Sequence, residues 1–203
     1  MNQQYIIAGI GTEVGKTVIA AILTQQLKAD YWKPVQAGDL HDTDTHKVER
    51  WISNPHTVCH PEAYRLHTPM SPHEAARRDG VRIDASKLVI PSTKKPLVIE
   101  LAGGLMVPLR EDYLIIDWLE EIKIPVVLVS RFYLGSINHT ILSVDALQRR
   151  GIPLAGIVFN GEMVESSKQA ILAYTGAKDL GHIDMEASPS EEMILKYAGS
   201  IRL

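Results

Sequence analysis

The residues with the clearest chemical potential lie near the N-terminus, in the segment Gly9–Thr17, which reads GIGTEVGKT. Glycines let a backbone curl so that its N–H groups face one point, and a helix that begins there adds partial positive charge. Lys16 could place an ammonium on the β- and γ-phosphates of a nucleotide, and the Thr17 hydroxyl could bind Mg²⁺. The segment therefore predicts a phosphate-binding loop, although Gly9 and Gly15 enclose five residues where the usual pattern has four.

The elements that must position this loop alternate between apolar strands and amphipathic helices. The strand candidates are apolar along their whole length, which is typical of strands covered on both faces of a parallel sheet. They are Tyr5–Ile10, Pro96–Leu101, Ile124–Ser130 and Leu154–Asn160, with Tyr31–Gln36 as a weaker candidate because it contains Pro34. Apolar stripes at helical spacing begin at Ile19 and Ile137. This order predicts a phosphate-loop NTPase-like α/β fold, with a mostly parallel central sheet and helices on both faces.

Length and composition bound the remaining possibilities. The 203 residues, 45% of them hydrophobic, predict one phosphate-loop domain over 1–203, with residues 40–90 as loops and short helices. A net charge of 21 − 24 = −3 and 6% aromatic residues argue against a nucleic-acid partner. No apolar run has the roughly 20 residues of a membrane span. The lone Cys59 cannot form an intramolecular disulfide, so a cytoplasmic location is expected. Its neighbours His56 and His60 do not complete the four ligands of a structural zinc site.

Further segments follow the loop in a fixed order. They are Trp32–Gly38 (WKPVQAG), Ser71–Ala76 (SPHEAA), Glu100–Gly104 (ELAGG), Leu134–His139 (LGSINH) and Gly156–Asn160 (GIVFN). No Asn-Lys-x-Asp guanine signature is present, and Gly11 stands where partitioning ATPases carry a second lysine. The ordered set, from Gly9 to Asn160, resembles the dethiobiotin synthase family.

The resemblance implies a reaction. Enzymes of that family are ATP- and Mg²⁺-dependent cyclo-ligases of biotin biosynthesis. They carboxylate 7,8-diaminopelargonate with CO2 and close the ring of dethiobiotin, through a carbamate and a carbamic–phosphoric anhydride. Such chemistry needs charge neutralisation and two amines held near one carbon more than it needs covalent catalysis.

The resemblance also implies roles for individual residues. The catalytic residues would be Lys33, Lys16 and Thr12, and the ligands of Mg²⁺ would be Thr17, Asp44 and Glu100. Contacts to ATP would come from Glu13, Val14, Gly15, Lys16, Thr17, Asp44, Glu100, Gly103 and Asn160. Contacts to the diamine would come from Thr12, Lys33, Ala37, Gly103, Gly135, Ser136, Ile137 and Asn138. The last four would belong to the partner subunit of a homodimer.

Several of these residues also have a structural interpretation. Lys33 could be a solvated surface lysine, and Gly103 or Asn160 could simply form a turn. Asp44 could cap a helix, and Asp42 is a rival metal ligand. The Leu134–Asn138 segment could be an ordinary helix start. Glu100 is the stronger metal candidate, because a carboxylate that follows three apolar residues is costly to bury without a cation or donors.

Three positions depart from the family pattern. Ala37 stands where many members have serine or threonine, Leu101 replaces a glycine, and Asp184 replaces a proline after the last strand. These departures leave a second hypothesis, a nucleotide-sensing module that has lost catalysis. The intact Lys16, Thr17, Lys33 and Glu100 argue against that alternative.

Overall fold

In the computed structural model, which describes residues 3–203, strands and helices alternate along the chain. The strands are β1 Gln4–Gly9, β2 Asp30–Trp32, β3 Val35–Ala37, β4 Cys59–His60, β5 Tyr64–Leu66, β6 Leu97–Gly104, β7 Pro108–Arg110, β8 Tyr113–Leu114, β9 Val126–Arg131, β10 Leu154–Asn160 and β11 Asp179–Ile183. The helices are α1 Lys16–Leu27, α2 Asp44–Trp51, α3 Pro72–Arg78, α4 Ile115–Ile122, α5 Ser136–Arg149, α6 Glu165–Thr175 and α7 Glu191–Tyr197.

The central sheet is parallel throughout and has seven strands in the order β11-β10-β9-β1-β6-β2-β4. Its inner strands are buried on both faces; Ile6, Ile7, Val127 and Leu128 have no exposed surface. α1 packs with α2 and α7, whereas α5 packs with α6, β9 and β10. The connection from β1 through α1 to β2 and the connection from β9 through α5 to β10 run toward opposite edges of the sheet. Since both are expected to be right-handed, the helices packed with α1 and those packed with α5 lie on opposite faces. The predicted fold is confirmed.

The weaker strand prediction, Tyr31–Gln36, is wrong as one continuous strand. The chain leaves the central sheet after Trp32, and β3 pairs instead with β5 in a separate two-stranded sheet. Pro34 has no N–H to donate to a ladder, although its carbonyl accepts from the backbone N–H of Tyr64. The prediction of only loops and short helices over residues 40–90 is also wrong, because β4 forms an edge of the central sheet.

The strand β6 is longer than predicted and carries a bulge. Ile7 pairs with Glu100, but two residues later Gly9 pairs with Gly104, so β6 has extra residues between these pairs. Glu100 therefore lies inside the strand and beneath the phosphate loop, not at the strand end. Within residues 3–203, no helix combines the length and apolarity needed to cross a bilayer.

Candidate active site

The phosphate loop runs from the end of β1 to the first residue of α1. Gly15 precedes the helix with φ of 94°, and a Cβ atom there would collide with the side-chain amide of Asn160. Lys16 is 8% exposed, and its Nζ donates to the carbonyl oxygen of Gly11 at 2.8 Å. The ammonium therefore lies within the curl of the loop, where phosphate oxygens bind.

Two side chains from neighbouring strands hold the loop backbone. Asn160, the last residue of β10, donates from Nδ2 to the carbonyl oxygen of Val14 at 2.9 Å. Arg131, the last residue of β9, donates to the carbonyl oxygen of Glu13 at 3.1 Å. Glu13 itself is exposed and has φ of 56°. The sequence analysis missed Arg131. It gave Asn160 a contact to ATP, which stays a prediction beside the observed contact with the loop.

Glu100 is the centre of the polar cluster below the loop. Its side chain is 1% exposed and accepts three hydrogen bonds. Oε1 accepts from Thr17 Oγ1 at 2.8 Å and from Lys33 Nζ at 3.1 Å, and Oε2 accepts from the Tyr31 hydroxyl at 2.8 Å. The expectation that a buried carboxylate here needs donors is confirmed. Tyr31 was not predicted; a tyrosine within a buried strand, which must find a partner for its hydroxyl, was the available signal.

Lys33 lies between two carboxylates, which rules out a solvated surface lysine. It is 4% exposed, and its Nζ is 2.6 Å from Asp44 Oδ2 and 3.1 Å from Glu100 Oε1. Burial disfavours the ammonium, but Glu100 and Asp44 outweigh that effect and raise the pKa of Lys33. Burial likewise opposes ionisation of Asp44, whereas Lys33 and Lys47 lower the pKa of Asp44 overall. The pKa of Tyr31 is raised well above its ordinary value by burial and by Glu100.

The structure distinguishes a ligand role for Asp44 from the two alternatives, a helix-capping role for Asp44 and a ligand role for Asp42. Thr43, not Asp44, caps α2: its hydroxyl accepts from the backbone N–H of His46 at 3.2 Å. The side chain of Asp42 is 51% exposed and pairs with Arg50 at 2.7 Å. Asp44, with 21% of its side chain exposed and its Oδ2 on Lys33, lies closer to the buried cluster. The helix-capping interpretation of Asp44 is therefore wrong, and Asp44 is the better ligand candidate.

The oxygen atoms of this cluster fit a magnesium ion. Thr17 Oγ1 contacts Glu100 Oε1 directly. Asp44 Oδ2 is linked to the same oxygen through the Lys33 ammonium, which contacts both carboxylates. Hydroxyl and carboxylate oxygens are the ligands Mg²⁺ prefers, and Mg²⁺ commonly takes one or two carboxylates and the phosphates of its nucleotide. Within residues 3–203, no group of three or more His, Cys, Asp or Glu side chains is arranged to hold a metal ion by itself.

An open cleft of about 910 Å³ lies over the loop and the cluster. Most of the predicted site residues line it. They are Thr12, Glu13, Gly15, Lys16, Thr17, Lys33, Ala37, Asp44, Glu100 and Gly103. Gly103 has φ of 70°, which favours glycine, and a Cβ atom on Gly104 would lie 3.6 Å from the carbonyl oxygen of Gly9. Gly103 thus takes a backbone conformation that favours glycine, whereas a Cβ atom on Gly104 would make only ordinary van der Waals contact with the loop.

Sequence comparisons give the family to which these residues belong. The family described as AAA domain matches residues 3–192. The ATP-dependent dethiobiotin synthetase BioD of Christiangramia forsetii is 48% identical over 202 residues, covering 100% of this chain and 97% of that protein. The proteins of the same name from Cytophaga hutchinsonii and Afipia carboxidovorans are 45% and 49% identical and cover 97% and 90% of this chain. The chain belongs to the dethiobiotin synthetase family. The resemblance inferred from the ordered motifs is confirmed.

Solved structures support the fold of this dethiobiotin synthetase family member. The ParA family ATPase from Chlorobium tepidum has a TM-score of 0.59 at 13% identity, over 97% of each chain. The MinD protein from Pyrococcus horikoshii, complexed with Mg-ADP, has a TM-score of 0.58 at 14% identity, over 98% of this chain and 95% of that one. At such identities the likeness concerns the phosphate-loop fold alone.

The three departures from the synthetase pattern have different structural contexts. Leu101 is 4% exposed and packs in the core, so it does not crowd the loop. Ala37 lines the cleft and offers no hydroxyl. Asp184 is largely exposed and pairs with His182 at 3.3 Å, just beyond β11. None of the three removes a side chain from the cluster around Glu100.

The helix start predicted at Leu134–Asn138 is confirmed, but it lies outside the cleft of its own chain. Gly135 precedes α5 with φ of 103°, and the helix begins at Ser136. Leu134 is fully exposed, and Ile137 is 37% exposed. Neither these two residues nor Asn138 lines the cleft described above.

The pH dependence of nucleotide binding follows from the burial of Lys16. Burial lowers the pKa of Lys16 to about 8, although Glu100 opposes the shift. Above that pH the free protein loses the ammonium that phosphates attract. Binding must then restore a proton, so we expect MgADP affinity to fall by up to about tenfold for each further pH unit. Calorimetry from about pH 7 to about pH 9.5, in buffers of different ionisation enthalpy, measures both the affinity and the proton uptake. If the MgADP affinity did not change over this pH range, the pKa of Lys16 would not be lowered.

Proposed function

We propose that this chain is an ATP-dependent dethiobiotin synthetase of biotin biosynthesis. It converts 7,8-diaminopelargonate, CO2 and ATP into dethiobiotin, ADP and phosphate. The observation that carries the proposal is the buried Lys33, held between Asp44 and Glu100 at the floor of the cleft beside the phosphate loop. Membership of the synthetase family supports the overall activity. The intact cluster favours an active enzyme over a nucleotide-sensing module that has lost catalysis.

The proposed reaction has three steps. One amine attacks CO2, a C–N bond forms, and loss of a proton leaves a carbamate. A carbamate oxygen attacks the γ-phosphorus of ATP and ADP departs, which gives a carbamic–phosphoric anhydride. The second amine attacks the carbonyl carbon, the C–O bond to phosphate breaks, and phosphate leaves as that amine loses its proton. Both amines must therefore reach one carbon, which makes positioning the main requirement.

The residues of the cleft divide this task. Lys16, in the curl of the loop, neutralises the β- and γ-phosphates. Lys33 stabilises the carbamate and the transferring phosphoryl group, since both carry negative charge near the cleft floor. Thr17, Asp44 and Glu100 would hold Mg²⁺, which when bound neutralises phosphate charge.

The remaining cleft residues contact the diamine in this proposal. Thr12, Gly103 and Ala37 all line the cleft. Ala37 provides only an apolar contact, so substrate binding relies on other groups. The loss of one hydrogen bond corresponds to about 0.5–1.5 kcal/mol, too little to abolish activity.

The exposed start of α5 supports a homodimer. Leu134 and Ile137 present apolar surface at the first turn of α5. There the N–H of Ser136 donates to the Tyr133 carbonyl and that of His139 to the Gly135 carbonyl, which leaves the N–H groups of Ile137 and Asn138 between them. We infer that Gly135, Ser136, Ile137 and Asn138 of one subunit reach the cleft of the other and bind the tail carboxylate of the diamine. The active enzyme is thus a cytoplasmic homodimer of single-domain subunits, with no nucleic-acid or membrane partner.

A charge placed on this surface tests the homodimer. Leu134→Glu is expected to shift the protein from dimer to monomer in sedimentation velocity, because it places a carboxylate in an apolar contact. The KM for the diamine should rise together with the dissociation. Leu195→Glu is the matched control, since Leu195 is also exposed but lies on α7. A Leu134→Glu protein that stays dimeric with an unchanged KM would place the interface elsewhere.

The decisive test of the activity is phosphate release from MgATP and bicarbonate, with and without 7,8-diaminopelargonate. We expect release only when the diamine is present, with dethiobiotin identified by its mass. Folded protein that binds nucleotide but shows no diamine-dependent release would instead favour the nucleotide-sensing module.

A further inference from the structure

The two oxygens of the Glu100 carboxylate have different partners. Oε1 faces the cleft side of the cluster, where Thr17 Oγ1 and Lys33 Nζ contact it at 2.8 and 3.1 Å. Oε2 faces β2 and accepts the hydroxyl of Tyr31 at 2.8 Å. Tyr31 has no exposed surface, and its neighbours in the core fix its ring. Nothing in the proposed chemistry so far uses Tyr31.

The hydroxyl of Tyr31 restricts the orientation of the carboxylate. The last torsion of a glutamate is broad, so sterics alone do not fix the angle at which the carboxylate plane meets the cleft. A hydrogen bond from a rigid buried donor selects one orientation. Without it, Oε2 would be a buried acceptor with no partner, and the carboxylate would gain by rotating until both oxygens share the Thr17 and Lys33 donors that now contact Oε1. The set of oxygens formed with Thr17 and Asp44 would then be lost.

Tyr31 is also suited to this role by its charge. A neutral hydroxyl satisfies Oε2 without cancelling the negative charge of Glu100, so that charge acts mainly at Oε1, where the Lys33 ammonium already contacts it. A cationic donor in the same place would compete with Lys33 and with any bound cation. Removing a group that hydrogen-bonds to a metal ligand and orients it commonly lowers the metal affinity by about 10–100-fold.

We propose that Tyr31 is a positioning residue of the synthetase reaction, which holds Glu100 so that Oε1 faces the site of the metal–nucleotide complex. The proposal rests on the proposed function only for its assignment of Glu100 to the metal. Tyr31 touches no substrate and acts through Glu100. Its contribution therefore falls on metal binding rather than on the binding of the nucleotide itself.

The test uses Tyr31→Phe, which removes the hydroxyl and leaves the ring. Mn²⁺ serves as the probe, and free Mn²⁺ is measured by electron paramagnetic resonance in the presence of saturating ADP. We expect Mn²⁺ to bind about 10–100-fold more weakly to Tyr31→Phe. The affinity for ADP without metal should change little. Unchanged Mn²⁺ binding in a folded Tyr31→Phe protein would overturn the proposal, even if the protein unfolded at a lower temperature.

Two controls separate positioning from general destabilisation. Tyr113→Phe removes another tyrosine–carboxylate hydrogen bond, 2.7 Å to Glu121, away from the cleft, and should leave Mn²⁺ binding unchanged. In the Glu100→Gln background, Tyr31→Phe should weaken Mn²⁺ binding no further, because the carboxylate it orients is gone. Additive losses in the double variant would overturn the proposal. Neither readout needs turnover, so failure of the dethiobiotin assay would not mimic failure here.

Discussion

Replacing Lys16 with alanine is expected to lower turnover by orders of magnitude and to weaken nucleotide binding. The Lys16 ammonium lies within the phosphate loop, bonded to the carbonyl oxygen of Gly11, and is almost fully buried. A charge-assisted hydrogen bond to phosphate contributes about 1.5–3 kcal/mol, which corresponds to roughly 10–100-fold in nucleotide affinity. The loss of charge stabilisation in the transition state should lower kcat by about a further 10²–10³-fold.

Equilibrium binding of a fluorescent ADP and steady-state phosphate release measure the two effects of Lys16→Ala separately. Lys94→Ala is the control, because Lys94 is exposed on a loop and does not line the cleft. Thermal unfolding of both variants shows whether the loop change affects folding. Full activity in Lys16→Ala would mean that this loop does not bind the reacting phosphates.

Replacing Lys33 with methionine is expected to lower kcat by about 10²–10³-fold while nucleotide affinity changes little. Methionine retains most of the length of the buried side chain but removes the ammonium between Asp44 and Glu100. Two carboxylates then lose their shared counter-ion, and breaking such a buried pair costs about 3–5 kcal/mol of folding stability. We expect Mg²⁺ to restore part of that stability, because the freed carboxylates attract a cation.

Lys47→Met is the matched control for Lys33→Met. Lys47 also pairs with Asp44, at 3.2 Å, but 27% of its side chain is exposed and it does not contact Glu100. Turnover should therefore fall far less in this variant. Equal losses of turnover and nucleotide affinity in Lys33→Met would identify Lys33 as a structural lysine and not as a catalytic one.

Local sequence was sufficient for the phosphate loop and for the strands β1, β6, β9 and β10 of the central sheet. Gly15, Lys16 and Thr17 are contiguous, and the strand before them and the helix after them have clear hydrophobic patterns. A loop, strand or helix of this kind is specified by residues a few positions apart in the chain, so residue types and their spacing are enough to predict it. The family resemblance added the prediction that Lys33, Asp44 and Glu100 act together, and the structure places these three side chains in contact.

The contacts that organise the site depend on tertiary structure. Tyr31 and Glu100 are 69 positions apart, and Asn160 is 146 positions from the Val14 carbonyl that it holds. No local pattern encodes such pairs, because they arise only when β2 and β10 are placed beside β6 and the loop.

Contacts between residues distant in the chain also explain why the structure changed some of the interpretations made from the sequence. Pro34 was visible in the sequence, but only the packed sheets show that the chain leaves one sheet there and enters another. Whether Lys33 is solvated or buried depended on the positions of Asp44 and Glu100, which lie on other elements. The residue types therefore specified the available chemistry. Folding decided which of those groups share a buried environment, because burial and distance between remote residues set their charges and partners.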